Sequence, residues 1–140
     1  MRAVGIIGAG QMGAGIAQVS AAASYHVYLS DLDLAKAEAG KAGIAKALAR
    51  LVAKEKMGQD EADALLSRIE PVASYAPMAD AGLIIEAATE REDIKRKIFE
   101  AVGAVLSEQA VLASNTSSIP ITRLAQSSPD PTRFIGVHFF

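Results

Sequence analysis

The stretch AVGIIGAGQMGAGIAQ, from Ala3 to Gln18, decides the fold. Its opening, Ala3 to Ile7, is a short apolar run of the kind that makes a buried strand. Gly8, Gly10 and Gly13 follow in a G-x-G-x-x-G spacing, and from Gln11 to Ala23 an alanine-rich segment sets Met12, Ile16 and Val19 on one helical face. A strand that breaks at glycines and re-enters as a helix is the context in which this spacing acquires a mechanism. Gly8 permits the tight turn, Gly10 lets the backbone approach a pyrophosphate with no Cβ in the way, and Gly13 lets the helix pack closely. The helix N-terminus then offers unpaired N–H groups and the positive end of its dipole to phosphate. The competing reading is a glycine-rich turn that binds nothing.

Outward from this stretch the same alternation continues. HVYLS, His26 to Ser30, reads as a second strand ending at Asp31. From Asp33 to Met57, Leu34, Ala37, Ile44, Leu48, Leu51 and Val52 recur at amphipathic-helix spacing, with Gly58 as the stop. A shorter helix from Asp60, its N-cap, to Arg68 completes a helical hairpin. IEPVAS, AGLIIEAA, AVLAS and FIGVHFF supply further strands. Between them, Glu90 to Leu106 carries Ile94, Ile98, Val102 and Val105 in helical register, and Pro120 to Gln126 reads as a short helix with Pro in its first turn. Strands separated by helices predict an α/β fold: a Rossmann-type, doubly wound, mostly parallel sheet with helices on both faces and a helical hairpin after the second strand. A chain of 140 residues, 51% of them apolar, buries one core, so residues 1–140 are read as one domain without repeat or linker.

Composition removes several classes of function. A net charge of −2 gives no basic field for a nucleic-acid backbone. With no cysteine, and only His26 and His138 as histidines, neither disulfides nor a thiolate or histidine metal site is expected. MRAVGII turns glycine-rich at once instead of building a signal segment, and no apolar run reaches the roughly 20 residues of a membrane span. The expectation is a soluble, cytoplasmic protein.

A doubly wound sheet binds ligands at the carboxyl ends of its strands, so polar residues that end apolar runs carry the information. Asp31 lies 18 residues after Gly13, near the offset of about 20 at which an acidic residue takes the adenosine ribose hydroxyls. Its charge would repel a 2′-phosphate, and Leu32 and Asp33 bring no arginine to hold one, so NAD is favoured over NADP. Alternatively Asp31 caps the next helix, although Asp33 is better placed for that. Glu90 and the segment Asn115 to Ser118 also end apolar runs. His138, set between Val137 and Phe139, has an ordinary pKa of about 6.5, which suits a base taking a proton from a secondary alcohol. Ser117 can hydrogen-bond the same oxygen. The alternative is an ordinary strand histidine beside a cap and turn ahead of Pro120.

Four segments in order, VGIIGAGQMGAGIAQVSAAA, IIEAATEREDIKRKIFEAV, ASNTSSIPIT and RFIGVHFF, together resemble the NAD-binding domain of the L-3-hydroxyacyl-CoA dehydrogenase family, which includes bacterial 3-hydroxybutyryl-CoA dehydrogenases. The resemblance covers the whole chain and implies oxidation of the 3-hydroxyl of L-3-hydroxyacyl-CoA to a ketone with NAD, or the reverse. It makes Gly8, Ala9, Gly10, Gln11, Met12 and Gly13 the phosphate loop, Asp31 the ribose ligand, and Glu90 and Lys95 cofactor contacts. It places Ser117 between nicotinamide and substrate oxygen, makes His138 the catalytic base, and makes Lys54 a contact for CoA, a solvated surface lysine being the other reading of Lys54. Arg91 stands where the family commonly has asparagine. In the family the chain continues past HFF into a helical domain that supplies a glutamate to orient the histidine, an asparagine to the substrate and most of a dimer interface. Their absence here implies a 3-hydroxyacyl-CoA dehydrogenase domain, with an acyl-CoA substrate, that binds NAD with little or no turnover alone, and a surface prone to self-association. Two other readings stand beside it: the NAD-binding domain of another β-hydroxyacid dehydrogenase, and a non-catalytic nucleotide-sensing domain.

Overall fold

Ala3–Ile7 forms strand β1, buried along its whole length, in a computed structural model that describes residues 3–139. From it the chain crosses through α1 (Gln11–Ala22) to β2 (His26–Ser30), then through α2 (Leu34–Ala53) and α3 (Gln59–Ser67) to β3 (Ile69–Pro71). A 3-10 turn, Ala76–Asp80, returns it to β4 (Leu83–Glu86), and α4 (Glu92–Gly103) leads on to β5 (Val111–Asn115). The last crossover is α5 (Ile121–Ala125) with a second 3-10 turn, Pro131–Arg133, and it ends in β6 (Phe134–Val137).

The strands form one sheet in the order β3-β2-β1-β4-β5-β6, and every neighbouring pair is parallel. This is the Rossmann strand order, with the direction of winding reversing between β1 and β4. The sheet expected to be mostly parallel is wholly so. Successive strand residues point to opposite faces, so each strand feeds two cores. Val4, Ile6, Leu29 and Ile85 pack on α1, α2 and α3 through Ile16, Ile44, Leu48 and Leu65. Ala3, Ile7, Ile84 and Leu112 pack on α4 and α5 through Phe99, Val102 and Leu124.

Several boundaries differ from the sequence reading. Helix α2 stops at Ala53, because Glu55 takes a left-handed φ of 58° that no helix continues. Gly58 is then the N-cap of α3 and not the stop of α2, and Asp60 sits in the first turn, where its charge suits the helix dipole. Pro120 is the N-cap of α5, one residue ahead of the first turn. In α1 the buried face is Gly13, Ile16, Ala17 and Ala21, while Met12 and Val19 are exposed. The small residues face the sheet because α1 lies close against it, which leaves the larger ones outside. Among the described residues no helix is long and apolar enough to cross a membrane.

Candidate functional site

The turn between β1 and α1 shows why each glycine is there. Gly8 has a φ of 108°, and a Cβ on it would come within 2.7 Å of the Ala87 and Ala88 backbone at the end of β4. A Cβ on Gly13 would stand 1.6 Å from the carbonyl oxygen of Gly8, so α1 packs directly on its own loop. Gly10 is different: nothing lies within 4 Å of where its Cβ would be. As N-cap of α1 it has no side chain to occupy the first N–H groups, and the first turn carries no acidic residue. The result is an uncapped, positively polarised helix end opening onto free space, which fits a pyrophosphate.

On one side of this loop, at the carboxyl ends of β1 and β2, a cavity of about 440 Å³ lies between Ala9, Gly10, Asp31, Lys36 and Gly40. Asp33 caps α2 by accepting from the Lys36 amide at 2.8 Å, which leaves Asp31 outside that duty. The Asp31 carboxylate instead accepts from the Ala9 amide at 2.8 Å and the Leu32 amide at 2.6 Å. One carboxylate thus fixes the glycine loop and lines the cavity with its remaining lone pairs. The close fit of α2 on the loop was not read from the sequence. A Cβ on Gly40 would meet Ala9 at 2.8 Å, and the only signal for it is Gly40 itself, one of two glycines with Gly43 in an otherwise regular helix.

On the other side, at the ends of β4, β5 and β6, a cavity of about 340 Å³ lies between Met12, Ala88, Glu90, Thr116, Ser117 and His138. The structure therefore brings Glu90, Ser117 and His138 together, as expected, with Met12 of the loop. The turn expected ahead of Pro120 is also present. The Thr116 hydroxyl accepts from the amides of Ser118 and Ile119 at 3.4 and 3.3 Å and donates to Glu90 at 3.0 Å. Ser118 donates to the same Glu90 oxygen. These two hydroxyls, Ser118 foremost, outweigh partial burial and hold the Glu90 carboxyl below the usual carboxylate range. Thr116 and Ser118 build the turn, and Ser117 is left exposed along the cavity. Past β6, the Phe139 amide donates to Asn115 Oδ1 at 3.3 Å, tying the segment that carries His138 to the end of β5.

Two expected contacts are placed elsewhere. Lys95 does not face the cavity: with Phe99 and Val102 it forms the buried stripe of α4, its side chain is 0% exposed, and Nζ meets Glu86 at 2.5 Å. Lys54 caps the C-terminus of α2, exposed, and lines neither cavity. Glu86 and Ser114 were missed, since a glutamate ending an apolar run looks solvent-facing until its strand proves central.

Comparison with known proteins agrees with this arrangement. A family model described as the 3-hydroxyacyl-CoA dehydrogenase NAD binding domain matches residues 3–140. The 3-hydroxybutyryl-CoA dehydrogenase of Bradyrhizobium diazoefficiens is 47% identical over 99% of this chain, a match covering 47% of that protein. A probable 3-hydroxybutyryl-CoA dehydrogenase of Deinococcus radiodurans is 43% identical over 96% of this chain and 48% of its own length. The crystal structure of (S)-3-hydroxybutyryl-CoA dehydrogenase from Ralstonia eutropha superposes with a TM-score of 0.96 at 43% identity, covering 100% of this chain and 50% of that one. The chain thus spans about half the length of the curated relatives it matches.

Proposed function

This chain belongs to the family of 3-hydroxyacyl-CoA dehydrogenase NAD-binding domains, and from that premise we propose that it serves a dehydrogenase interconverting L-3-hydroxyacyl-CoA and 3-ketoacyl-CoA. The observation that carries the reading is the pair of cavities flanking the Gly8–Gly13 loop, one holding Asp31 and the other holding Ser117 and His138. When bound, NAD supplies the hydride acceptor, and NADH the donor, for such a reaction.

The chain's own residues do the rest. The uncapped N-terminus of α1, with Gly10 leaving room, binds the pyrophosphate. Asp31 accepts hydrogen bonds from the adenosine ribose, and its charge disfavours a 2′-phosphate. At the other cavity Ser117 donates a hydrogen bond to the substrate oxygen. His138 takes the proton from that oxygen during oxidation and returns it during reduction. Glu90, held by Thr116 and Ser118, lines the same cavity as a contact for the cofactor.

A titration of NAD into the protein and its Asp31→Ala variant tests the binding half. We expect about a tenfold or greater loss of NAD affinity, the scale of a charged hydrogen bond, and unchanged affinity refutes the ribose assignment. NADH oxidation with acetoacetyl-CoA, assayed in the whole dehydrogenase that this domain serves, tests the chemistry, and activity that survives His138→Ala undiminished removes the histidine as base. Lys54 enters the same proposal as a contact for the anionic CoA moiety. Lys54→Ala then raises KM for the acyl-CoA and leaves NAD affinity unchanged, and an unaltered KM removes it.

A further inference from the structure

The Asp31 cavity is a slot between two helices, lined mostly by small residues. Ala9, Gly10 and Ala14 face it from the glycine loop and α1, and Ala39, Gly40 and Gly43 face it from α2. Among the described residues that line it, two carry charge, Asp31 and Lys36. Their formal charges cancel, where Asp31 alone would leave the slot anionic.

The helix itself sets Lys36 there. Lys36 and Gly40 stand i, i+4 on one face of α2, and at Gly40 that face rests on the glycine loop, where a Cβ would meet the Ala9 carbonyl oxygen at 2.8 Å. One turn earlier the same face carries the lysine. The helix has no need of a cation at this position, because the positive end of its dipole favours anions in the first turn. Its backbone is already served by Asp33, whose carboxylate accepts from the Lys36 amide at 2.8 Å. The ammonium makes no ion pair among the described residues. Asp31 is held differently: each of its oxygens accepts one amide, from Ala9 and from Leu32. A fixed carboxylate thus stands on the strand side of the slot, and on the helix side a cation on a flexible four-carbon stem can turn toward an entering anion.

We propose that Lys36 is a specificity-determining residue for the dinucleotide: its ammonium pairs with a phosphate on the adenosine ribose and offsets the repulsion from Asp31, so that NADP binds at this site as well, more weakly than NAD. The inference rests on the dinucleotide reading above, in which Asp31 holds the ribose hydroxyls. A 2′-phosphate beside Asp31 meets a like charge at the end of β2 and an opposite charge on α2. Discrimination is the difference between these two opposed interactions, and it is smaller than the carboxylate alone would impose.

The test measures the affinity of the 140-residue chain for NADH and NADPH, two probes that differ only by the 2′-phosphate, each followed by its own fluorescence. The parent is expected to bind both, NADH more tightly, and the readout is the ratio of the two Kd values. Lys36→Met keeps the stem and removes the charge, and it is expected to raise that ratio about fivefold in favour of NADH, the upper range for an exposed ion pair. Lys36→Arg keeps the charge and is expected to hold the ratio within about twofold of the parent. An unchanged ratio in Lys36→Met overturns the proposal. Equal weakening of both probes also overturns it, since the lysine would then act on the pyrophosphate that they share. A ratio that rises as far in Lys36→Arg as in Lys36→Met overturns it too, because charge would not be what counts. A parent that binds NADH and no NADPH overturns this inference only, whereas a parent that binds neither overturns the dinucleotide reading and this inference together.

Discussion

Gly10 and Gly13 share a loop, but a methyl group would find opposite surroundings at the two positions. At Gly13 it would stand 1.6 Å from the Gly8 carbonyl oxygen, an atom of the backbone that no rotamer can move aside. Gly13→Ala therefore forces α1 off the loop, and overpacking of this kind costs about 1–3 kcal/mol. The expected result is a lower melting temperature, by about 3–10 °C at this chain length, and loss of dinucleotide binding. At Gly10 the methyl meets nothing within 4 Å, and the backbone φ of −72° suits alanine. Gly10→Ala is expected to melt within about 2 °C of the parent and still bind NAD about tenfold or more weakly, because the space it fills is the space for phosphate. Undiminished NAD affinity in Gly10→Ala would show that the pyrophosphate lies elsewhere.

Between β4 and α4, and between β5 and α5, the loops are held together by Glu90 with Thr116 and Ser118. The Ser118 hydrogen bond, joined by that of Thr116, depresses the Glu90 pKa. A depressed carboxyl adds stability that is present above its unfolded pKa and lost as pH falls through the folded one. The stabilisation by Glu90 is thus complete at neutral pH and fades below the usual carboxylate range. Glu92, depressed first by its Arg123 hydrogen bond, titrates in the same acidic window. The difference between the parent and Glu90→Gln isolates Glu90: the two should converge in denaturant stability as pH falls. A side-chain carboxyl NMR titration of Glu90 with its midpoint at or above that of a free glutamate would contradict this. Element boundaries also show what the sequence can and cannot tell. The strand runs, the glycine spacing and the cap at Asp33 are local patterns, and each was legible. The end of α2 is a backbone turn through a left-handed glutamate, and the start of α4 follows a Thr89 hydroxyl that accepts from the Arg91 amide at 3.1 Å; neither leaves a periodicity. Lys95 is the sharpest instance. It stands i, i+4 and i+7 with Phe99 and Val102 on the buried stripe, and only the position of Glu86 in a central strand explains why a charge belongs there.

For the whole molecule, the sheet divides the interior into two cores that share only the strands. Phe99, 0% exposed, anchors the core under α4 and α5, where its ring meets Phe134 edge-on at 5.0 Å. Leu48, 1% exposed, anchors the core under α1, α2 and α3. Truncation to alanine costs about 3–5 kcal/mol for a buried Phe and about 2–5 for a buried Leu. Against a total of about 5–15 kcal/mol, either variant stays folded with a much lower melting temperature, and the double variant approaches the limit. The two sites lie on opposite faces with no shared partner, so their costs should add to within about 0.5 kcal/mol if the sheet unfolds as one unit. The dinucleotide site gives an independent check, because its loops are set by both cores: α1 rests on one, and the β4–α4 and β5–α5 connections rest on the other. NAD at about 100 times its Kd adds about 2.7 kcal/mol to any variant whose native site is intact. Leu48→Ala and Phe99→Ala should therefore gain equally from NAD, read as the rise in denaturation midpoint at unchanged slope. If NAD restores only one of them, the groove depends on a single core and the two halves of the sheet unfold separately.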